Sequence, residues 1–163
     1  MTAYISKIKF LGYSFYVYKG EGRLRVHSIS IAKMKERIRT LTSRSNGWGY
    51  ARRKVALRQY ITGWVNYFKL ADMKNLLLKV DEWYRRRLRM IIWKQWKRIR
   101  TRGYNLMKLG IDKRKAWEWA NTRKGYWHTA NSFILTRSVT NYRLRQAGYI
   151  FFLDYYRLVN GIN

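Results

Sequence analysis

Between Trp83 and Arg102 the chain reads WYRRRLRMIIWKQWKRIRTR, a run without a proline, a glycine or a carboxylate. Nothing in it stops a helix. Nine of its twenty residues are Lys or Arg and three are Trp. Cations packed this densely repel one another unless a polyanion neutralises them. Flat rings interleaved with cations suit a sugar-phosphate backbone and unpaired bases. The stretch therefore asks for a long helix with one face in a core and another toward a negatively charged partner.

The rest of the composition agrees. The 163 residues fit about one domain. Hydrophobic residues make up 47% of the chain and aromatics 17%, too apolar for a disordered basic tail and enough for a core. Lys and Arg number 36 against 8 Asp and Glu, a formal net charge of +28. A folded domain with this balance meets a polyanion, nucleic acid first and an anionic membrane surface second. Cysteine is absent, which excludes disulfides, thiolate zinc sites and Cys nucleophiles and fits a reducing cytoplasm. The N-terminal MTAYISKIKFLGYSFYVYKG lacks the apolar core of a signal peptide, and no window is apolar enough for a membrane span. Proline is absent too, which favours long helices.

Hydrophobic periodicity sets out the elements. Ile8 to Tyr18 is β-branched and aromatic, interrupted at Gly12; Lys19-Gly20-Glu21-Gly22 reads as a turn, and Arg23 to His27 alternates with Leu24 and Val26 on one face. This is a β-hairpin that must pack on something. From Ser30 the period changes to about 3.6, with Ile31, Met34, Ile38 and Leu41 on one face and Ser28 or Ser30 as the cap. A second helix is expected from Tyr50 to Leu70, with Val55, Leu57, Ile61, Trp64, Val65 and Phe68 forming its apolar face. Gly63 inside it suggests close approach of a neighbouring helix. The third and longest helix is expected from Asp72, its N-cap, to Arg98, with Met73, Leu77, Val80, Tyr84, Leu88, Ile91 and Gln95 stepping by threes and fours. Shorter helices follow: one ending at Gly110, one capped by Asp112, one around Trp127, one capped by Thr140 and stopping at Gly148, and a last from Phe151 to Leu158. The fold class is mainly α: an N-terminal β-hairpin, a bundle of three long helices and several short C-terminal helices.

Few residue groups could carry a reaction. Asp81-Glu82 is the one adjacent carboxylate pair, and two-metal chemistry needs converging carboxylates. Their spacing to Arg85 and Arg86 reads as ordinary helix ion pairs instead. His27 and His128 belong to no ligand pattern, and GxGxxG, Walker and GxSxG motifs are missing. No catalytic residue, metal or cofactor is expected. The candidate nucleic-acid-binding residues are Arg85, Arg86, Arg89, Trp93, Lys94, Lys97 and Arg98 on the third helix, with Arg123 and Lys124 beside Gly125-Tyr126-Trp127-His128. Arg pairs bidentately with phosphate and Trp offers a stacking platform. Core packing is the equally weighted alternative for Trp93 and Trp96. Gly125 reads either as a close approach to phosphate or as a helix boundary.

Several strings resemble the maturase-specific region of group II intron reverse transcriptases, also called domain X or the thumb. They are Phe10-Leu11-Gly12-Tyr13-Ser14-Phe15, YITGWVNYF at 60–68, LKVDEW at 78–83, RRRLRMIIWKQWKR at 85–98, Lys108-Leu109-Gly110-Ile111, AWEWANTRKGYW at 116–127 and Ala130-Asn131-Ser132. The similarity extends from about residue 8 to residue 156. The resemblance implies a hairpin from the end of the polymerase palm at 1–28, then a thumb and helical extension at 29–163. It implies binding of group II intron RNA and help in its folding and splicing, the RNA doing the chemistry. The YxDD motif of the palm does not occur in this sequence, so polymerase activity would need a separate fingers and palm polypeptide. RNA-DNA hybrid or DNA is a variant partner, and apolar thumb faces could drive self-association. A family proline usually follows Leu-Gly-Ile; here Asp112 stands there and can cap the next helix.

Overall fold

Two tight turns shape the N-terminal sheet. Leu11 (φ 50°) with Gly12 (φ 84°), and Lys19 (φ 51°) with Gly20 (φ 79°), place consecutive residues in the left-handed region, the requirement of a type I′ hairpin turn. The computed structural model describes residues 8–162. Its strands β1 (Lys9–Phe10), β2 (Tyr13–Tyr18) and β3 (Glu21–Val26) form an antiparallel sheet in the order β1-β2-β3. Phe10 pairs with Tyr13 across the first turn and Tyr18 with Glu21 across the second. The expected hairpin is thus a three-stranded meander. The interruption at Gly12 is a turn, and the next turn closes at Lys19-Gly20 without reaching Gly22. Gly12 is required twice over: besides its φ, a Cβ there would stand 2.9 Å from Ser30 Oγ and 3.1 Å from the Phe68 ring. Residues 1–7 and 163, included in the two expected segments, lie outside the described residues.

Nine helices follow among the described residues: α1 (Ser28–Leu41), α2 (Tyr50–Phe68), α3 (Lys74–Gln95), α4 (Ile99–Lys108), α5 (Lys113–Ala120), α6 (Tyr126–Ala130), α7 (Phe133–Ser138), α8 (Asn141–Gln146) and α9 (Phe152–Asn160). The chain divides into two compact units. One comprises residues 8–41, 49–81 and 150–162; the other comprises 42–48 and 82–149. The sheet thus shares a unit with α1 and α2.

In the first unit, α1 buries Met34, Ile38 and Leu41. Its first turn is capped by His27, whose Nδ1 accepts the Ile29 N–H at 3.2 Å. Neither expected serine does this; Ser30 Oγ donates to the Gly12 carbonyl at 3.1 Å. Helix α2 buries Leu57, Ile61, Val65 and Phe68. Val55, expected on that face, is 57% exposed. The buried row steps back by four from Leu57 to Arg53, which is only 2% exposed and donates through Nε to the Leu41 carbonyl. A residue two positions from Leu57 lies about 200° around the helix and so faces out. Gly63 also faces open space and is not a helix contact. The sheet packs on the end of α2, where Tyr67 donates to the Leu11 carbonyl at 2.9 Å and the Tyr13 and Phe68 rings lie 5.2 Å apart.

Helix α3 begins after Asp72, not on it. The Asp72 carboxylate accepts the Tyr16 hydroxyl at 2.6 Å and faces the Arg23 guanidinium at 3.6 Å, which draws it toward the sheet. Asp81 has a task that its spacing did not suggest. It is 2% exposed, and its two oxygens accept the N–H groups of Phe152 and Leu153 at the start of α9.

In the second unit, Leu88, Ile91 and Trp93 of α3 are buried, as are Leu106 of α4, Ala116 and Ala120 of α5, Leu135 of α7 and Leu144 of α8, and Met90 and Ile91 pack with Ala130 and Tyr126 of α6. Helix α3 stops at Gln95, three residues before the expected end. The Trp96 carbonyl that this releases accepts Arg102 Nε at 2.9 Å, a cation placed at the negative end of the helix dipole. Arg98 becomes the N-cap residue of α4. The close helix approach expected at Gly63 occurs instead at Gly103 of α4, where an added Cβ would stand 3.0 Å from the Trp117 ring of α5. Asp112 caps α5 by accepting the Arg114 N–H at 3.1 Å, in the place where the resembling family carries proline.

Candidate nucleic-acid interface

Much of the charge on residues 82–95 of α3 is engaged inside the second unit. Arg89 is 8% exposed; its Nε donates to the Val139 carbonyl at 2.9 Å and its Nη2 to Asn141 Oδ1 at 2.8 Å. Arg87 donates to the Thr42 hydroxyl at 2.6 Å and to the Thr42 carbonyl. Lys94 donates to the Arg44 carbonyl, and Gln95 to that of Trp48 at 3.3 Å, which ties the 42–48 loop to the helix. Arg143 of α8 donates to both the Leu109 and Ser138 carbonyls. These are side chains closing helix ends and loops, where carbonyls lack partners.

The nine expected binding residues therefore separate. Trp93 is 1% exposed, packed edge-on to Trp96 (centroids 6.0 Å apart) and under the Arg102 guanidinium at 4.4 Å. It is a core residue here and presents no open ring face, which is the packing alternative left open by the sequence. Arg89 is likewise buried and Lys94 partly so, each bonded to backbone as above. Arg86 is half-buried and donates through Nε and Nη2 to the Trp127 carbonyl at 3.1 and 2.9 Å. Arg85 is half-buried at the edge of a groove. Lys97, Arg98, Arg123 and Lys124 are exposed. Lys97 and Arg98 leave the α3 stripe altogether, because the helix ends before them. Gly125 is the N-cap residue of α6, the boundary reading, with φ at −59°.

Residues outside the expected set enter the site. Trp127 is 37% exposed, and the Arg86 guanidinium lies 3.9 Å from its ring centroid. The two donors of Arg86 on the Trp127 carbonyl fix that stack, leaving an aromatic ring held at the surface by a cation. The groove beside Arg85 has a volume of about 710 Å³ and is also lined by Arg89, Asn141, Tyr142 and Arg145, with Glu82 as its one carboxylate. Burial first, and the neighbouring Arg85 charge second, lower the pKa of the Arg89 guanidinium. Trp127 stood in the aromatic-basic cluster read from the sequence. Arg145 and Tyr142 gave no signal there, being single residues far along the chain from Arg85.

The carboxylates of this unit are Glu82, Asp112 and Glu118, and Asp112 is engaged as a helix cap. They are far too few to neutralise its Lys and Arg side chains, so the unit keeps a strong positive field. Among the described residues no three His, Cys, Asp or Glu side chains gather as metal ligands. None of the described helices is long and apolar enough to cross a membrane.

The fold and this surface define a mainly helical, strongly cationic domain with an arginine-stapled interior. Residues 31–110 match the family model of the group II intron, maturase-specific domain. That stretch is thus similar to the maturase-specific, non-polymerase region, the C-terminal part of group II intron maturases. The match runs from α1 through α4 to Gly110. No curated protein matches the chain.

Proposed function

We propose that this domain binds group II intron RNA in the cytoplasm and helps it reach the fold in which the RNA splices itself, as the C-terminal part of an intron-encoded reverse transcriptase and without catalysing a reaction of its own. The observation that carries this reading is the surplus of exposed cations, Lys97, Arg98, Arg123 and Lys124 among them, on a unit whose carboxylates are three, joined to the family match at 31–110. Phosphate contacts supply the affinity; the exposed Trp127 ring and the shape of the surface add preference for structured RNA with unpaired bases.

Filter binding to a group II intron fragment tests this. With about six to ten phosphate contacts, affinity should fall by a factor on the order of 10³ or more between roughly 50 and 200 mM salt. A flat salt dependence would show that charge is not the basis of binding. Matched RNA, DNA and hybrid competitors rank the partners in the same assay.

Exposed apolar side chains on the sheet favour a second reading. Phe10, Leu11 and Val17 are 63%, 65% and 62% exposed. Such a face suits a separate fingers and palm polypeptide or a second copy of the chain. Light scattering over a concentration series should then show association that Phe10→Ser with Val17→Ser abolishes; a monomer at every concentration removes self-association.

A further inference from the structure

We infer that the groove lined by Arg85, Arg89 and Arg145 receives a phosphate of a single-stranded nucleic acid, with the Tyr142 ring offered to an adjoining base. This rests on the RNA-binding function proposed above and names a site that serves it. Three guanidiniums face one carboxylate, Glu82, in an open groove of about 710 Å³. Arg89 cannot turn away to solvent: it is 8% exposed and held by the Val139 carbonyl and Asn141 Oδ1. Carbonyl and amide oxygens satisfy its donors but leave its charge uncompensated. Arg85 stands close enough to act on that charge electrostatically. An entering phosphate offsets both charges at once and can accept several N–H donors.

Tyr142 makes the ligand more specific than a free anion. It is 66% exposed, and its hydroxyl accepts Gln146 Nε2 at 2.9 Å, one turn along α8. A tethered, exposed ring beside a cationic groove is the arrangement that stacks an unpaired base while its backbone is held. A duplex keeps its bases stacked inside and cannot lower one onto the ring.

The test uses the full chain and an iodouridine-containing single-stranded RNA of about ten nucleotides, a length within the usual site sizes. After ultraviolet crosslinking, peptide mapping should place an adduct on Tyr142. Arg145→Glu should weaken binding about tenfold, through loss of a charge-assisted contact. Arg114→Glu, the same change of charge at an exposed residue of α5, should stay within about twofold. Bound RNA with adducts only at other aromatics, and equal losses in the two variants, would overturn the groove while leaving the RNA-binding function standing. Failure of the wild-type chain to bind the oligonucleotide and the intron fragment at low salt would remove both. The mapping on wild-type protein does not depend on how well either variant folds.

Discussion

Trp93→Ala is expected to destabilise the second unit by about 3–5 kcal/mol, the usual cost of removing a buried tryptophan. The residue is 1% exposed, so the full ring volume becomes a cavity. The loss extends further, because the ring is also the surface on which Arg102 lies at 4.4 Å while Arg102 Nε closes the end of α3 at the Trp96 carbonyl. At roughly 2–4 °C per kcal/mol for a chain of this size, thermal denaturation should show a drop on the order of 10 °C. Trp93→Phe keeps much of the ring and should cost about half as much or less. Measured well below its melting point, Trp93→Phe should bind RNA as the wild type does. A stacking residue would behave differently: its loss removes about 1–3 kcal/mol of binding and little stability. If Trp93→Ala melts like the wild type and loses RNA affinity, Trp93 is a base platform after all.

This contrast marks what a sequence can disclose about a cation-rich helix. The inward face of α3 was legible because burial repeats with the helix: Met73, Leu77, Val80, Tyr84, Leu88 and Ile91 are all buried. Asp112 and Thr140 were legible as caps because capping acts over two or three residues, and both accept the expected N–H groups. The fates of the arginines were not legible. Arg89 looks like Arg98 in the sequence, but its partners lie fifty residues on, at Val139 and Asn141. No local spacing encodes that. The same limit applies to Arg53, whose buried position follows from the row through Leu57 and Ile61 but runs against every expectation for a charged side chain. The early end of α3 was hidden too, since no proline or glycine marks it and its carbonyl is satisfied by Arg102, six residues later.

The two fates of the cations are not competitors. A guanidinium bonded to a carbonyl keeps its full charge, so Arg86, Arg87, Arg89 and Arg143 still contribute to the field that draws a polyanion in. The exposed Lys97, Arg98, Arg123 and Lys124 can meet phosphates without breaking internal structure. Mutations of Arg86, Arg87 and Arg143 should therefore appear mainly as lost stability, and those of the exposed set as lost affinity and a shallower salt dependence. Arginine suits the first task better than lysine, since one planar fork can reach two acceptors through different nitrogens, as Arg89 does with Val139 and Asn141.

Asp81→Ala should destabilise the first unit by about 2–4 kcal/mol. Helix α9 starts after Phe151, a residue with no side-chain acceptor, so its first N–H groups have no local cap. Asp81 supplies the cap from seventy residues upstream: Oδ1 takes Phe152 at 3.0 Å and Oδ2 takes Leu153 at 2.9 Å. The carboxylate is 2% exposed, so the alanine variant leaves two buried donors facing an apolar gap that water does not readily fill. Asp81→Asn retains one acceptor but turns an amide donor toward the other N–H group, and should lie between wild type and alanine. Two readouts decide the matter together. The denaturant midpoint should fall, and hydrogen exchange at Phe152 and Leu153 should accelerate more than exchange in the middle of α2, because α9 detaches before the rest of the unit opens. An unchanged midpoint with full protection at those two amides would show that the carboxylate does not hold the helix, and would return Asp81 to the ordinary helix ion pair that its spacing to Arg85 suggests.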